Sequence, residues 1–341
     1  MDFPITERSY SSERHTTAYL QAGPQDGPLL VFCHGWPELS YSWRHVLPVF
    51  AGLGFHVVAP DMRGYGNSSV PPNTDDYTQR EIVADMIELL DHLGAQRAVW
   101  IGHDWGSPVV WNIATHHPER TRAVASLSVP FQPGGFAKVN LYGLIDRDIY
   151  PEDEYPVGQW DYFLFYQESF DQAQRDFERD VTATVKCIFR HGKPEHISRP
   201  AGTASTRRDG GFFRGPTAPD IPRDDAVLSE DDLQRYVGAL ERNGFRGPNS
   251  WYVNDEVNQE YSQEGSASLD MPVLFLHGHY DQTCQTVHSQ LADPMRGACT
   301  DLTEHIIDSG HWIAQENPAA VNAALASWLV SKVGDWWPGT R

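Results

Sequence analysis

Positive charge, cysteine and long apolar runs are all scarce in this sequence of 341 residues. Lys and Arg number 26 against 46 Asp and Glu, which gives a formal net charge of -20. A surface of that sign repels phosphate backbones and anionic lipid, so we expect neither nucleic acid nor a membrane as a partner. The same field opposes anionic ligands and favours a neutral or cationic small molecule.

The four cysteines, Cys33, Cys187, Cys284 and Cys299, show no C-x-x-C spacing. They predict neither a zinc site nor a disulfide framework, and they fit a reducing compartment. The first residues lack a basic segment followed by an apolar stretch, so no secretory signal is visible. No uncharged apolar run approaches the roughly 20 residues that a membrane helix needs. We therefore expect a cytoplasmic protein.

An alternation of buried strands and helices is present in the first third of the chain. Leu29–Cys33, His56–Pro60 and Ala98–Gly102 are short apolar runs bounded by turn residues, as expected for strands buried on both faces. Thr78 and Glu81 form a capping box ahead of apolar residues at helical spacing. This alternation predicts an α/β fold with a mostly parallel central sheet flanked by helices.

The strand–helix pattern breaks near the middle of the chain and returns before its end. Residues 135–265 lack buried-strand runs and are rich in aromatic, acidic and arginine residues. Pro272–Leu276 resumes the strand pattern, and Asn317 with the following proline begins a C-terminal helix. We therefore predict a core formed by residues 1–134 and 266–341, interrupted by a helical lid insertion.

The segment Gly102-His103-Asp104-Trp105-Gly106 lies where a predicted strand ends and a helix begins. This is the spacing of the nucleophile elbow, G-x-S-x-G, with aspartate in the serine position. Glycines permit the sharp turn, and the positive end of the following helix stabilises the central carboxylate. Taken alone, the motif is equally compatible with an ordinary aspartate at a helix N-terminus.

Two later residues favour catalysis over that alternative. Asp281 lies just past a predicted buried strand, and His311 lies on a loop past another one, ahead of the C-terminal helix. Either residue alone is more simply explained as a turn or surface residue. Together with Asp104 they stand in the order nucleophile, acid, histidine, which is the order of α/β-hydrolases. The motif after the first strand, His34-Gly35-Trp36-Pro37, then predicts an oxyanion hole formed by the backbone N–H groups of Trp36 and Trp105.

On these motifs the chain resembles the soluble epoxide hydrolases of the α/β-hydrolase superfamily over essentially its whole length. Two segments of the insertion add to the resemblance. Asp161-Tyr162-Phe163-Leu164-Phe165-Tyr166-Gln167-Glu168 resembles the first lid segment of that family, and Gly244-Phe245-Arg246-Gly247-Pro248-x-x-Trp251-Tyr252 resembles the second. The resemblance implies that Tyr162 and Tyr252 face the nucleophile. We expect neither the phosphatase domain of some animal relatives nor a membrane anchor.

The resemblance implies conversion of epoxides to vicinal diols. Asp104 would open the three-membered ring and form a hydroxyalkyl ester, while Tyr162 and Tyr252 act as acids toward the ring oxygen. His311, oriented by Asp281, would then activate water to hydrolyse the ester. The reaction needs no metal or organic cofactor. We expect a small neutral epoxide as the partner of a monomer or homodimer.

An apolar substrate pocket is predicted from Phe32, Trp36, Trp105 and Trp312, whereas Tyr166 is interpreted as lid packing. Two other functions stay open. A haloalkane dehalogenase shares the aspartate nucleophile and the tryptophan after it, but has no use for two lid phenols. A non-catalytic ligand receptor on the same fold is the second alternative. The loop from about 191 to 223 has no predicted role.

Overall fold

A computed structural model describes residues 3–339 of the chain. Its centre is an eight-stranded sheet with the order β1-β2-β4-β3-β5-β6-β7-β8. The β1–β2 and β2–β4 pairs are antiparallel, and the other neighbouring pairs are parallel. The strands are β1 (Thr6–Ser11), β2 (Thr16–Ala22), β3 (Leu29–Cys33), β4 (His56–Pro60), β5 (Ala98–His103), β6 (Thr121–Leu127), β7 (Leu269–Gly278) and β8 (Cys299–Ile307).

Helices cover both faces of the sheet and form the insertion. The first and last helices pack on one face, in a cluster that includes Phe50 and Trp328, and the second and third pack on the other face. Among the described residues, no helix is long and apolar enough to cross a membrane. The helices are α1 (Leu47–Gly52), α2 (Gln79–His92), α3 (Gly106–His116), α4 (Lys138–Leu141), α5 (Asp161–Glu168), α6 (Phe170–Glu178), α7 (Val181–Ile188), α8 (Glu230–Asn243), α9 (Arg246–Ser250), α10 (Asp255–Glu264), α11 (Asp293–Ala298), α12 (Ile313–Glu316) and α13 (Pro318–Lys332).

Local sequence signals account for the central elements. The three predicted apolar runs are β3, β4 and β5, and every residue of these strands is buried. At the start of α2 the Thr78 hydroxyl accepts a hydrogen bond from the Glu81 N–H. At the start of α13 the Asn317 side chain accepts one from the Ala320 N–H. The predicted strands and both helix starts are confirmed.

The two edge strands of the sheet, β1 and β8, are the ones that the sequence predicts least well. β1 reads Thr-Glu-Arg-Ser-Tyr-Ser, with no apolar alternation. β8, the strand expected ahead of His311, runs from Cys299 to Ile307, and most of its residues are exposed or half-buried. An edge strand buries little apolar surface, so its sequence lacks the run by which a central strand is recognised.

The segment 135–265 contains helices and turns and no strand, and the structure describes all of its residues. It is tied to the core through α8. Arg44 Nε lies 2.9 Å from Asp232 Oδ1, and the Tyr236 and Ser42 hydroxyls are 2.7 Å apart. These contacts hold the segment over the loop that follows β3. The boundaries between lid and core stay a prediction.

Candidate active site

The turn between β5 and α3 holds Asp104 in a strained backbone conformation. Its φ is 48°, in the left-handed region that costs a non-glycine residue on the order of 1–3 kcal/mol. The turn is also tightly packed, because a Cβ added to Gly106 would lie 2.2 Å from the carbonyl oxygen of Cys33. Only glycine fits there. The strained turn therefore lifts the Asp104 side chain above the end of the sheet.

The Asp104 carboxylate contacts the loop after β3 on one side and His311 on the other. Its Oδ1 accepts a 2.6 Å hydrogen bond from the Trp36 backbone N–H, and its Oδ2 is 3.4 Å from His311 Nε2. Gly35 lies against the same carboxylate. A Cβ added to Gly35 would lie 2.3 Å from Asp104 Oδ1 and 2.5 Å from the Trp105 nitrogen. Both predicted oxyanion donors therefore lie beside this carboxylate, and their catalytic role stays a prediction.

His311 connects Asp104 to Asp281. His311 Nδ1 lies 2.7 Å from Asp281 Oδ2, while Asp281 Oδ1 accepts the backbone N–H groups of Thr283 and Cys284, each at 3.0 Å. Burial lowers the pKa of His311, but the charges and hydrogen bonds of Asp281 and Asp104 outweigh it and raise that pKa well above its usual value. Burial raises the pKa of Asp281, and the His311 charge more than reverses this. The imidazole is therefore fixed with Nε2 facing the Asp104 carboxylate.

A second buried pair, Glu38 and His103, lies behind this triad and is absent from the sequence prediction. Glu38 Oε2 is 2.7 Å from His103 Nδ1, and His103 Nε2 is 2.7 Å from the His311 carbonyl oxygen. A carbonyl only accepts, so Nε2 carries a hydrogen. Burial raises the pKa of Glu38, but His103 outweighs it and holds that pKa at about 2. Burial lowers the pKa of His103, and Glu38 more than reverses this. The Glu38–His103 pair therefore anchors the loop that carries His311.

Glu38 also joins the loop after β3 to the C-terminal part of the core. Its Oε2 accepts the Gly35 N–H at 3.2 Å, and its Oε1 accepts from Gln315 Nε2 at 2.6 Å. His34 orients the same loop, because its Nδ1–H donates to the Gly35 carbonyl oxygen and its Nε2 accepts the Met62 N–H, both at 2.9 Å. The only sequence signal for Glu38 is its place four residues after His34.

Tyr162 of α5 and Tyr252, just after α9, line the same cavity as Asp104 and His311. The two phenol rings have centroids 5.6 Å apart and planes at 67°. Burial raises the pKa of both phenols well above the usual value; Cys284 and Asp104 add to this for Tyr162, and Asp104 adds to it for Tyr252. Both phenols therefore keep their protons at neutral pH and can donate hydrogen bonds into the cavity.

The cavity has a volume of about 590 Å³, which is in the range of small-molecule sites. Trp36 and Trp312, predicted as pocket residues, lie in its wall, together with Phe177 and Phe212. The loop from 191 to 223 supplies much of the remaining wall. That loop therefore shapes the space around Asp104, a role that its sequence did not indicate.

The pocket prediction is wrong for Phe32 and for the side chain of Trp105. Phe32 is fully buried in the core and packs against Trp43, with ring centroids 5.2 Å apart. Side chains alternate along β3, so Phe32 faces the side of the sheet away from the insertion. Trp105 lies within the lid aromatics, stacked on Phe163 at 6.0 Å and edge-on to Tyr252 at 5.1 Å. Neither side chain is part of the cavity wall.

The described residues offer one group of potential metal ligands, formed by Asp281, Cys284 and His311, whose ligand atoms lie within 4.8 Å of one another. Two of the three are already joined by the hydrogen bond of the triad. Burial, together with the charges of Asp281 and Asp104, raises the pKa of the Cys284 thiol well above its usual value. Asp281 also accepts the backbone N–H groups of Thr283 and Cys284, so its carboxylate is already engaged within the protein.

Comparison with known proteins agrees with this geometry. A family model described as alpha/beta hydrolase fold matches residues 28–318. The chain is 35% identical over 328 residues to epoxide hydrolase A of Mycobacterium tuberculosis, across 95% of this chain and 97% of that protein. This chain belongs to the epoxide hydrolases of the alpha/beta hydrolase fold.

Two further epoxide hydrolases are similar to the chain. The bifunctional epoxide hydrolase 2 of Sus scrofa is 37% identical over 305 residues, and the match covers 89% of this chain. That match covers 51% of the pig protein, so the chain spans about half the length of this relative. The crystal structure of epoxide hydrolase A from Mycobacterium thermoresistibile has a TM-score of 0.77 at 33% identity, covering 96% of this chain and 99% of that one.

Replacing Glu38 by glutamine tests whether the buried pair tunes the triad. Glu38→Gln keeps the shape and removes the charge, so we expect His103 to become neutral while its Nε2–H still bonds the His311 carbonyl. Because the two imidazoles lower each other's pKa, the pKa of His311 should rise, as measured by NMR titration of the ring. An unchanged value would contradict this role. Glu38→Ala is the contrast, and leaving His103 unpaired should cost about 3–5 kcal/mol of unfolding free energy.

Proposed function

We propose that this protein hydrolyses epoxides to vicinal diols through a covalent ester on Asp104. The observation that carries the proposal is the convergence of a carboxylate, a His–Asp pair and two protonated phenols on one cavity. Relatives named as epoxide hydrolases over most of the chain support the same activity. Asp104 is the nucleophile, His311 with Asp281 the base, and Tyr162 and Tyr252 the acids.

The first step opens the oxirane ring. An oxygen of Asp104 attacks one ring carbon, the C–O bond to that carbon breaks, and its electron pair goes to the ring oxygen. Tyr162 or Tyr252 donates a proton to this oxygen as the bond stretches and regains one from water, since a free alkoxide is too basic to leave unaided. A carboxylate suits the attack because the ester that it forms has a carbonyl that water can attack later.

The second step hydrolyses the ester, and ester formation itself prepares the base. Asp104 helps to raise the pKa of His311 in the free protein, and an ester carries no charge. The pKa of His311 therefore falls when the intermediate forms, which frees the imidazole to take a proton from water. Asp281 keeps its charge and orients the ring. The N–H groups of Trp36 and Trp105 stabilise the oxyanion. The ester C–O bond then breaks, His311 returns its proton to the leaving oxygen of the diol, and the carboxyl of Asp104 loses its proton to water.

The residues supply nucleophile, acid and base by themselves, so the proposed chemistry uses no metal or organic cofactor. A haloalkane dehalogenase is less well supported. That reaction has no use for two lid phenols, yet Tyr162 and Tyr252 both line the cavity, whereas the side chain of Trp105, the tryptophan after Asp104, is not part of its wall. A non-catalytic receptor would have no need of the complete hydrogen-bonded set of Asp104, His311 and Asp281.

The net charge and the position of the two phenols bear on the substrate, the partners and the lid of the proposed enzyme. We propose a small neutral epoxide as the substrate, with neither nucleic acid nor membrane as a partner, because the net charge of -20 repels anionic polymers and surfaces. We propose a cytoplasmic enzyme that acts as a monomer or homodimer. Residues 135–265 would serve as the lid, since they carry both phenols.

A single turnover in heavy-oxygen water tests the ester. With the protein in excess over styrene oxide, the first diol should carry no solvent label, because its new oxygen comes from Asp104. The label should instead appear in the Asp104 carboxylate, measured by peptide mass spectrometry. In the control, limiting protein turns over many times, and the diol should then become labelled. Label in the first diol would mean direct attack by water and would refute the ester.

Removal of the phenol hydroxyls tests the acids. Tyr162→Phe and Tyr252→Phe should each slow ring opening, and the double variant should lose about 10²–10⁴-fold, because no acid then reaches the leaving oxygen. Rapid mixing with styrene oxide measures this step. Tyr236→Phe is the matched control, since its hydroxyl bonds Ser42 outside the cavity, and its rate should equal wild type. A double variant with the wild-type rate would exclude the two phenols as acids.

The pH dependence separates the two steps. A protonated His311 cannot take a proton from water, so ester hydrolysis should slow as the pH falls through the pKa of this imidazole in the intermediate. Ring opening uses the Asp104 anion and a protonated phenol and should persist at the same pH. We therefore expect an ester to accumulate on the protein at acid pH, seen as a mass increase equal to the substrate. If turnover falls at acid pH without such an adduct, His311 is not the base of this step.

A further inference from the structure

A single carboxylate, that of Glu316, accepts hydrogen bonds from the backbone on both sides of His311. Glu316 is the last residue of α12 and is half-buried. Its Oε2 accepts the Gly310 N–H at 2.7 Å, and its Oε1 accepts the Trp312 N–H at 3.0 Å. The residues directly before and after His311 are therefore held by one side chain, which acts on the backbone rather than on the imidazole.

The same carboxylate reaches the loop from 191 to 223. Glu316 Oε2 also accepts the Gly192 N–H at 2.9 Å. Gly192 and Gly310 are in direct backbone contact, because a Cβ added to Gly192 would lie 2.3 Å from the Gly310 Cα. Gly192 itself lines the cavity. A part of the cavity wall and the backbone beside the proposed base therefore share one acceptor.

The insertion also meets the His311 loop through Trp312. The Trp312 Nε1–H donates to the Ile188 carbonyl oxygen at 3.0 Å, and the indole stacks on Phe189 with ring centroids 4.3 Å apart. Ile188 and Phe189 come just before Gly192 in the chain. This stretch of the insertion is therefore held against the residues next to His311 at two places.

The three donors around Glu316 favour its charged form, because backbone N–H groups donate and cannot accept. Burial raises the pKa of Glu316, the three hydrogen bonds oppose this rise, and the charge of Asp281 adds to it. A glutamine at this position would keep one acceptor oxygen and bring an amide donor in place of the other. Whichever way that amide turned, at least one N–H group next to His311 would face a donor.

We propose that Glu316 is a positioning residue that holds His311 for ester hydrolysis and makes its position depend on the loop from 191 to 223. This inference rests on the proposed function and concerns its second step. The imidazole must place Nε2 against a water beside the Asp104 ester, and a misplacement of about 1 Å can slow a reaction about 10²-fold. Ring opening uses Asp104 and a phenol and does not need the imidazole.

Replacement of Glu316 by glutamine tests the positioning role. In rapid-mixing experiments with saturating styrene oxide, Glu316→Gln should form the ester on Asp104 at the wild-type rate. It should hydrolyse that ester about 10–10²-fold more slowly, because His311 is misplaced. Quenching followed by mass spectrometry of the protein measures both steps. A general loss of folded protein would instead lower the amount of ester without changing the ratio of the two rates.

Glu178→Gln is the matched control. Glu178 is also half-buried and accepts a backbone N–H, from Phe245 at 2.7 Å, within the insertion. This variant should keep both rates. A Glu316→Gln variant that keeps both rates, or that loses the same factor in both steps, would overturn the positioning role.

Gly192→Ala tests the connection to the loop and serves as the test if Glu316→Gln does not fold. The added methyl group cannot fit against Gly310 at the present distance, so the Gly192 N–H should move away from Glu316. Ester hydrolysis should then slow while ring opening keeps its rate. The double variant should hydrolyse the ester no more slowly than the slower single variant, since both changes break the same contact. Wild-type hydrolysis in Gly192→Ala, or losses that multiply in the double variant, would overturn the connection.

The wild-type protein separates this inference from the proposed function. If it forms no ester on Asp104, the proposed function fails and this inference fails with it. If the ester forms and decays in the wild-type protein but decays equally fast in both single variants, only this inference fails.

Discussion

The crowding of backbone around Asp104 is the constraint on which the rest of the site depends. The chain turns from β5 into α3 with Asp104 at a left-handed φ, and the contact between Gly106 and Cys33 leaves no space for a side chain. Gly35 approaches the carboxylate from the loop after β3. The carboxylate is therefore held in one place by close backbone contacts on both sides. A looser turn would allow the side chain to fold back toward the helix.

Two buried pairs of opposite charge lie beside this fixed carboxylate. Asp281 and His311 form one pair, and Glu38 and His103 form the other. Each would be costly as a single buried charge, and each is compensated by its partner. The hydrogen bond from His103 to the His311 carbonyl oxygen joins the pairs. In the proposed reaction Asp104 loses its charge when the ester forms. The pKa of His311 then changes, while the two pairs keep their hydrogen bonds.

The lid provides what the strands do not, namely acids and an apolar wall. Aromatic side chains from α5, α6 and the segment after α9 pack against one another at ring distances of 4.3–6.5 Å. Burial in this cluster raises the pKa of each phenol and keeps it protonated. Tyr162 and Tyr252 line the cavity beside Asp104, and the ring of Tyr166 packs on that of Tyr252. The same burial that packs this segment therefore keeps its tyrosines protonated.

The sequence by itself determined the central strands, the turn at Asp104 and the order of the three triad residues, because each depends on local spacing and on continuous apolar runs. Only the tertiary structure decided that Phe32 faces the core rather than the cavity, since strand alternation assigns a face only once the register is known. It also paired Glu38 with His103 and Glu316 with the Gly192 backbone. These features depend on contacts between residues far apart in the chain, and no local pattern records them.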